Sequence, residues 1–166
     1  MTRNTKRLIF ALTVIYIALV AWIILFKIVS ISEILYMSHA RTINLIPFHY
    51  EQEQPYHLSE VLYNIAIFIP LGFYFKMLKI KSSRAILYGA CFSFVLEISQ
   101  FLFAIGVTDI TDLMTNTFGT VLGVMIYSVL AFVFGNHSKM DKVLSILALL
   151  CTTLFLALIG LLCWYN

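Results

Sequence analysis

The chain is predicted to be an all-α polytopic membrane protein: a bundle of about five transmembrane helices, N-terminus inside and C-terminus outside. Three observations predict it. Of 166 residues, 61% are hydrophobic and 11% charged. The mean hydropathy is +0.95, far above what a soluble core needs. Five apolar runs, at 8–29, 59–79, 84–105, 110–134 and 143–164, are each long enough to cross a bilayer, which takes ~20 helical residues. Together they use about two-thirds of the chain, so a single membrane domain over 1–166 is expected, with no separate soluble one.

Run 1 follows Arg3, Lys6 and Arg7, as a signal peptide's core would. Yet LIFALTVIYIALVAWIILF is longer than the roughly 7–15 apolar residues of such a core, and no A-x-A-like cleavage site follows. It is expected to stay as the first span. Cys91, Cys151 and Cys163 all lie inside apolar runs. The last two are ~18 Å apart on one helix, too far to bridge, so they are expected to pack.

The basic residues orient the bundle. Arg3, Lys6 and Arg7 flank span 1; Lys76, Lys79, Lys81 and Arg84 join spans 2 and 3; Lys139 and Lys142 join spans 4 and 5. Only Lys27 and Arg41 of the eleven Lys and Arg fall at the other end. The positive-inside rule places the majority in the cytoplasm. All acids but Asp141 then lie on the outer side or in the outer half of a span. The net charge of +3 is thus a topology signal and gives no support for a nucleic-acid partner. Trp164 and Tyr165 fall where an interfacial aromatic belt would. Residues 30–58 form a long outer segment, and 104–110 a short outer turn between spans 3 and 4.

Polarity concentrates in GVTDITDLMTNTFG, residues 106–119, which opens span 4. Asp109, Asp112 and Asn116 are spaced i, i+3, i+7 on one face; Glu97 and Gln100 share a face of span 3. Asn64 of span 2 reaches a similar depth, ~7–13 Å in by helical rise. A shared, hydrated, outward-facing pocket is therefore expected. The bland alternative makes Asp109 an N-cap and Asp112 a dipole-favoured first-turn acid. It leaves Glu97 unexplained, because a carboxylate deep in a span costs ~2.5–3.5 kcal/mol on insertion scales. Glu97, Asp109 and Asp112 are the candidates for any acid–base chemistry, since burial raises a carboxyl pKa.

Pro70 is expected to kink span 2 and free the Ala66 carbonyl, with Gly72 allowing close approach. Gly119 and Gly123 form a G-x-x-x-G suited to helix packing. His39, His49 and His57 lie in the outer segment, and His49 is a candidate base or ligand that is more often structural. Outer carboxylates suit a divalent cation, but no ligand spacing singles one out. No metal or other cofactor is expected.

These motifs, read together, resemble the VanZ-like family of bacterial membrane proteins. They are NLIPF at 44–48; Asn64, Phe68, Pro70 and Gly72; Glu97 and Gln100; and Asp109, Ile110, Asp112, Asn116 and Gly119. The motif-bearing part is 41–123. Many members carry an arginine three residues before the first aspartate. Gly106 stands there in this chain, which leaves Arg41 as the residue to substitute. The resemblance adds Arg41, Asn44 and Pro47 to the pocket residues His49, Asn64, Pro70, Gly72, Gln100, Asn116 and Gly119. It implies a plasma-membrane bundle conferring low-level resistance to teicoplanin-type glycopeptides.

Two functional classes follow. One is a non-catalytic resistance factor, surrounded by membrane lipids, whose outer pocket engages a lipid-linked peptidoglycan precursor, the lipid tail of the glycopeptide or an envelope enzyme. The other is a membrane enzyme using Glu97, Asp109 and Asp112 on a lipid or envelope substrate. A transporter is the weakest case, because five spans without a repeat would need oligomerisation. Oligomeric state is left open.

Overall fold

The computed structural model describes residues 3–26, 42–48, 57–105, 107–135 and 137–165. Five helices carry the chain: α1 (Arg3–Phe26), α2 (His57–Met77), α3 (Ser82–Phe103), α4 (Ile110–Phe134) and α5 (His137–Tyr165). The first four are long and apolar enough to cross a membrane. Each begins within about five residues of a predicted run, and α1 starts earliest, at Arg3. Long basic side chains favour helix and reach toward water, so charge need not end it. The fifth predicted run lies inside α5, which starts six residues sooner, at His137.

Two short strands, β1 (Thr42–Asn44) and β2 (Val107–Asp109), were not anticipated. They pair in parallel, with Thr42 opposite Val107, Ile43 opposite Thr108 and Asn44 opposite Asp109. The expected outer turn at 104–110 is therefore only partly a turn. α3 ends with Ala104 in the left-handed region, φ 52°, and the Ile105 N–H bonds back to the Gln100 carbonyl. The chain then doubles back along α3. The Thr108 hydroxyl donates to the Glu97 carbonyl, and Glu97 lies ~9 Å inside the helix end. Non-helical backbone at that depth needs partners from the protein, and the two strands supply them to each other.

The tightest helix packing is α2 on α4. A Cβ added at Gly119 would run into the Ile65 carbonyl, and one at Gly123 into the Ile69 carbonyl. One at Gly72 would strike the Thr120 carbonyl. The G-x-x-x-G of α4 thus meets the glycine of α2 as small-residue packing requires. One apolar cluster centres on Phe68, Leu71, Phe75, Leu96 and Val124, and another on Ile9, Leu12, Tyr74 and Met140. Outside them lies a belt of exposed apolar side chains, Phe132 at 89% and Leu154 at 73% among them. In a bilayer such side chains meet acyl chains and cost nothing.

Pro70 sits inside α2 without ending it. The Tyr16 hydroxyl of α1 donates to the Ile67 carbonyl at 2.6 Å, next to Ala66, whose carbonyl is the one that Pro70 leaves without its helical donor.

Candidate functional site

At the end of the bundle where α3 finishes and α4 begins, Glu97 is the anchor. It is 3% exposed, and its Oε2 accepts from the Asp109 N–H at 2.9 Å. Asp109 caps α4: its Oδ1 accepts from the Thr111 N–H at 2.7 Å. Its Oδ2 accepts from the Asn44 side-chain amide at 3.1 Å. Asn44 Oδ1 in turn accepts from the Ile46 N–H, and the Phe48 N–H donates to the Thr111 hydroxyl. Carboxylate, strand, cap and loop thus form one chain of hydrogen bonds running from α3 through β2 to residues 42–48. The cap role weighed for Asp109 is what the structure shows, extended by its bond to Asn44.

Asp112 serves a different neighbour. Its Oδ1 accepts from the Asn64 amide of α2 at 2.7 Å. Asn116, 1% exposed, donates to the Ser93 hydroxyl of α3 at 2.9 Å, and Gln100 donates to the Ile24 carbonyl of α1 at 3.2 Å. The polar residues thus gather at one end but turn toward four different partners. Among the described residues no donor reaches Gln100 Oε1 or Asn116 Oδ1, both fully buried acceptors. Pro47 is exposed on the loop, and Gly72 and Gly119 lie in the α2–α4 contact. Arg41, His49 and Gly106 lie outside the described residues, as do the side chains of His57, Trp164 and Tyr165. Among the described residues no cluster of three His, Cys, Asp or Glu side chains could hold a metal ion.

Two cavities flank α2. One, of about 880 Å³, lies among α2, α3 and α4; the other, of about 490 Å³, among α1, α2 and α5. Neither is lined by Glu97, Asp109 or Asp112.

The family model described as VanZ/LLP1 matches residues 13–134, from the middle of α1 to the end of α4. The chain belongs to the VanZ/LLP1 family. Protein VanZ of Enterococcus faecium is 34% identical over 151 residues, covering 87% of this chain and 88% of that one. No solved structure matches. The VanZ/LLP1 match holds every motif from Asn44 to Gly119 and adds α1, which the motifs alone did not reach. In this VanZ/LLP1 chain the motif residues sort by what they touch. Gly72 and Gly119 join α2 to α4, whereas Asn44, Glu97 and Asp109 bind the loop to α3.

At the opposite end lies a cluster that sequence reading missed. Asp141, fully buried at the start of α5, accepts from Lys79 Nζ at 2.5 Å and from the Tyr127 hydroxyl at 2.7 Å. Lys79, in the α2–α3 connector with φ 64°, also donates to the Tyr127 hydroxyl at 3.0 Å. Burial lowers the Lys79 pKa, but the bonds to Asp141 and Tyr127 outweigh it and hold the ammonium above its ordinary value. This triad ties α5 to the rest. The one acid out of place in the charge pattern, Asp141, was its only sequence signal.

Proposed function

We propose that this protein confers low-level resistance to teicoplanin-type glycopeptides from the bacterial plasma membrane, limiting drug access to lipid-linked wall precursors. In this reading the chain crosses the membrane five times, with its N-terminus inside and its C-terminus outside. The loop 42–48 and the acidic end of the bundle then face the outer leaflet. Family membership supports the antibiotic, and the charge asymmetry supports the orientation.

The observation that carries the reading is the hydrogen-bonded chain from Glu97 through Asp109 to Asn44. It binds an otherwise exposed apolar loop, with Leu45 at 72% and Ile46 at 60% exposure, to the framework. A pinned apolar loop beside carboxylates is suited to engage an amphiphile at the membrane surface. The same bonds favour binding over catalysis, because Asp109 and Asp112 both spend an oxygen holding neighbouring elements.

The test is expression in a susceptible Gram-positive host. Tolerance should rise for teicoplanin-type drugs and less for glycopeptides without a lipid tail. At equal membrane abundance, Glu97→Gln and Asp112→Asn should lose tolerance, and Asp109→Asn should lose less. If all three protect like the parent, the carboxylates are structural only. Reporter fusions after residues 81 and 139 should read cytoplasm and one near 53 outside; a cytoplasmic reading at 53 would sink the orientation.

A further inference from the structure

The end of the bundle opposite the candidate site carries nine Lys and Arg and, among the described residues, one acid, Asp141. That acid is fully buried and already accepts from Lys79 and Tyr127, so it offsets none of the other cations. Three of those cations gather around Ser82, where the α2–α3 connector enters α3. Lys76 Nζ donates to the Ser82 hydroxyl at 3.0 Å and to the Ile80 carbonyl at 3.4 Å, which leaves one N–H of its ammonium to give. Lys81 and Arg84 stand within two residues of Ser82, and both are exposed. Among the described residues no carboxylate pairs with either of them.

Topology accounts for cations at this end, but not for what continues from them. From Arg84 the exposed face of α3 runs through Leu87 and Tyr88 to Cys91 and Phe94, a single apolar stripe at helical spacing. Both α2 and α3 are able to cross a membrane, so their connector lies where hydrocarbon gives way to headgroups. The stripe below it then faces acyl chains. Cations above an apolar stripe are the complement of an anionic phospholipid, with its phosphate outward and its chains inward. Arg84 offers a planar fork to two phosphate oxygens, and Lys81 a point charge.

We propose that the start of α3 binds one anionic phospholipid of the leaflet at this end, the cytoplasmic one in the proposed orientation. Lys81, Arg84 and the remaining N–H of Lys76 hold its phosphate, and an acyl chain lies along Leu87, Tyr88 and Phe94. The site goes beyond the resistance reading, which concerns the other end of the bundle, and does not depend on it.

The full chain carrying Trp22→Phe, Trp164→Phe and Leu87→Trp has one tryptophan, on the stripe and one turn from Arg84. It is reconstituted in phosphatidylcholine vesicles holding about 5 mol% of a lipid brominated on its acyl chains, either phosphatidylglycerol or phosphatidylcholine. Each Lys or Arg near the surface gives about a five-fold preference for an anionic lipid, so Lys81 and Arg84 together give roughly twenty-fold. Brominated phosphatidylglycerol should then fill about half of the sites, against about a twentieth for brominated phosphatidylcholine, and quench the tryptophan correspondingly more. Arg84→Gln and Lys81→Gln should each cut the preference about five-fold, and Arg84→Lys, which keeps the charge, should cut it less. Lys6→Gln removes a cation from α1 at the same end and should leave the preference unchanged. Leu102→Trp in place of Leu87→Trp moves the tryptophan to the far end of the same α3 face, where no preference should be seen.

Equal quenching by the two lipids at position 87 overturns the proposal. So does a loss from Lys6→Gln as large as that from Arg84→Gln, which would make the effect a diffuse surface potential. A preference abolished by inorganic phosphate at constant ionic strength also overturns it, because the occupant would then be a soluble anion.

Discussion

Replacing Glu97 separates its charge from its role as an acceptor. In Glu97→Gln the side-chain oxygen still accepts from the Asp109 N–H, observed at 2.9 Å, but without charge. A bond to a charged group is worth ~1.5–3 kcal/mol and a neutral one ~0.5–1.5, so about 1 kcal/mol is lost. Against this, a carboxylate in a span costs ~2.5–3.5 kcal/mol on insertion scales, a cost the amide largely avoids. The two effects oppose each other, and the net expectation is a variant about as stable as the parent. Glu97→Leu keeps the volume and removes the acceptor. It strands the Asp109 N–H at a cost of ~1–3 kcal/mol and frees β2, and with it β1. Thermal denaturation in nanodiscs gives the stability, and amide hydrogen exchange at Asp109 and Ile46 gives the local effect. Exchange should rise at both positions in Glu97→Leu and stay near the parent's in Glu97→Gln. If Glu97→Leu exchanges like the parent, the carboxylate does not hold the loop, and the anchoring chain is refuted.

Gly119→Leu should lower the thermal midpoint steeply, because its Cβ meets the Ile65 carbonyl and overpacking costs ~1–3 kcal/mol or more. Gly135→Ala, with open space around it but φ 60°, should cost only ~1–2 kcal/mol of left-handed strain. Lys79→Met should destabilise by a few kcal/mol at most, below the ~3–5 for breaking a fully buried pair, because Lys79 is half exposed. Adding Asp141→Leu together with Tyr127→Phe, which removes the hydroxyl that Asp141 also accepts from, should recover most of that loss, and a triple variant worse than the single would refute the pairing. The raised Lys79 pKa makes its contribution whole below pH 10.5 and lost as pH climbs through the folded-state value, so α5 should loosen only in strong alkali. Ser93→Ala should leave Asn116 without its observed acceptor, costing ~1–3 kcal/mol, whereas a paired Asn116→Leu should restore stability.

Local composition settled where the helices lie. Apolar runs of ~20 residues have few alternatives in a membrane, and small residues at 72, 119 and 123 mark where backbones approach. The cap at Asp109 was equally legible, because capping depends only on the next two or three residues. The motif residues named a family and picked out Glu97, Asp109 and Asp112 as one set. Their division of labour required the tertiary structure. Asn44 and Asp109 are 65 positions apart, Asn64 and Asp112 48, and Lys79 and Asp141 62. Nothing local chooses among the acceptors at similar depth. The strands were hidden for the same reason: three residues such as TIN or VTD have no period of their own, and each exists because the other satisfies its backbone. Composition decides that a buried polar group needs a partner; only the packing of the helices decides which partner it meets.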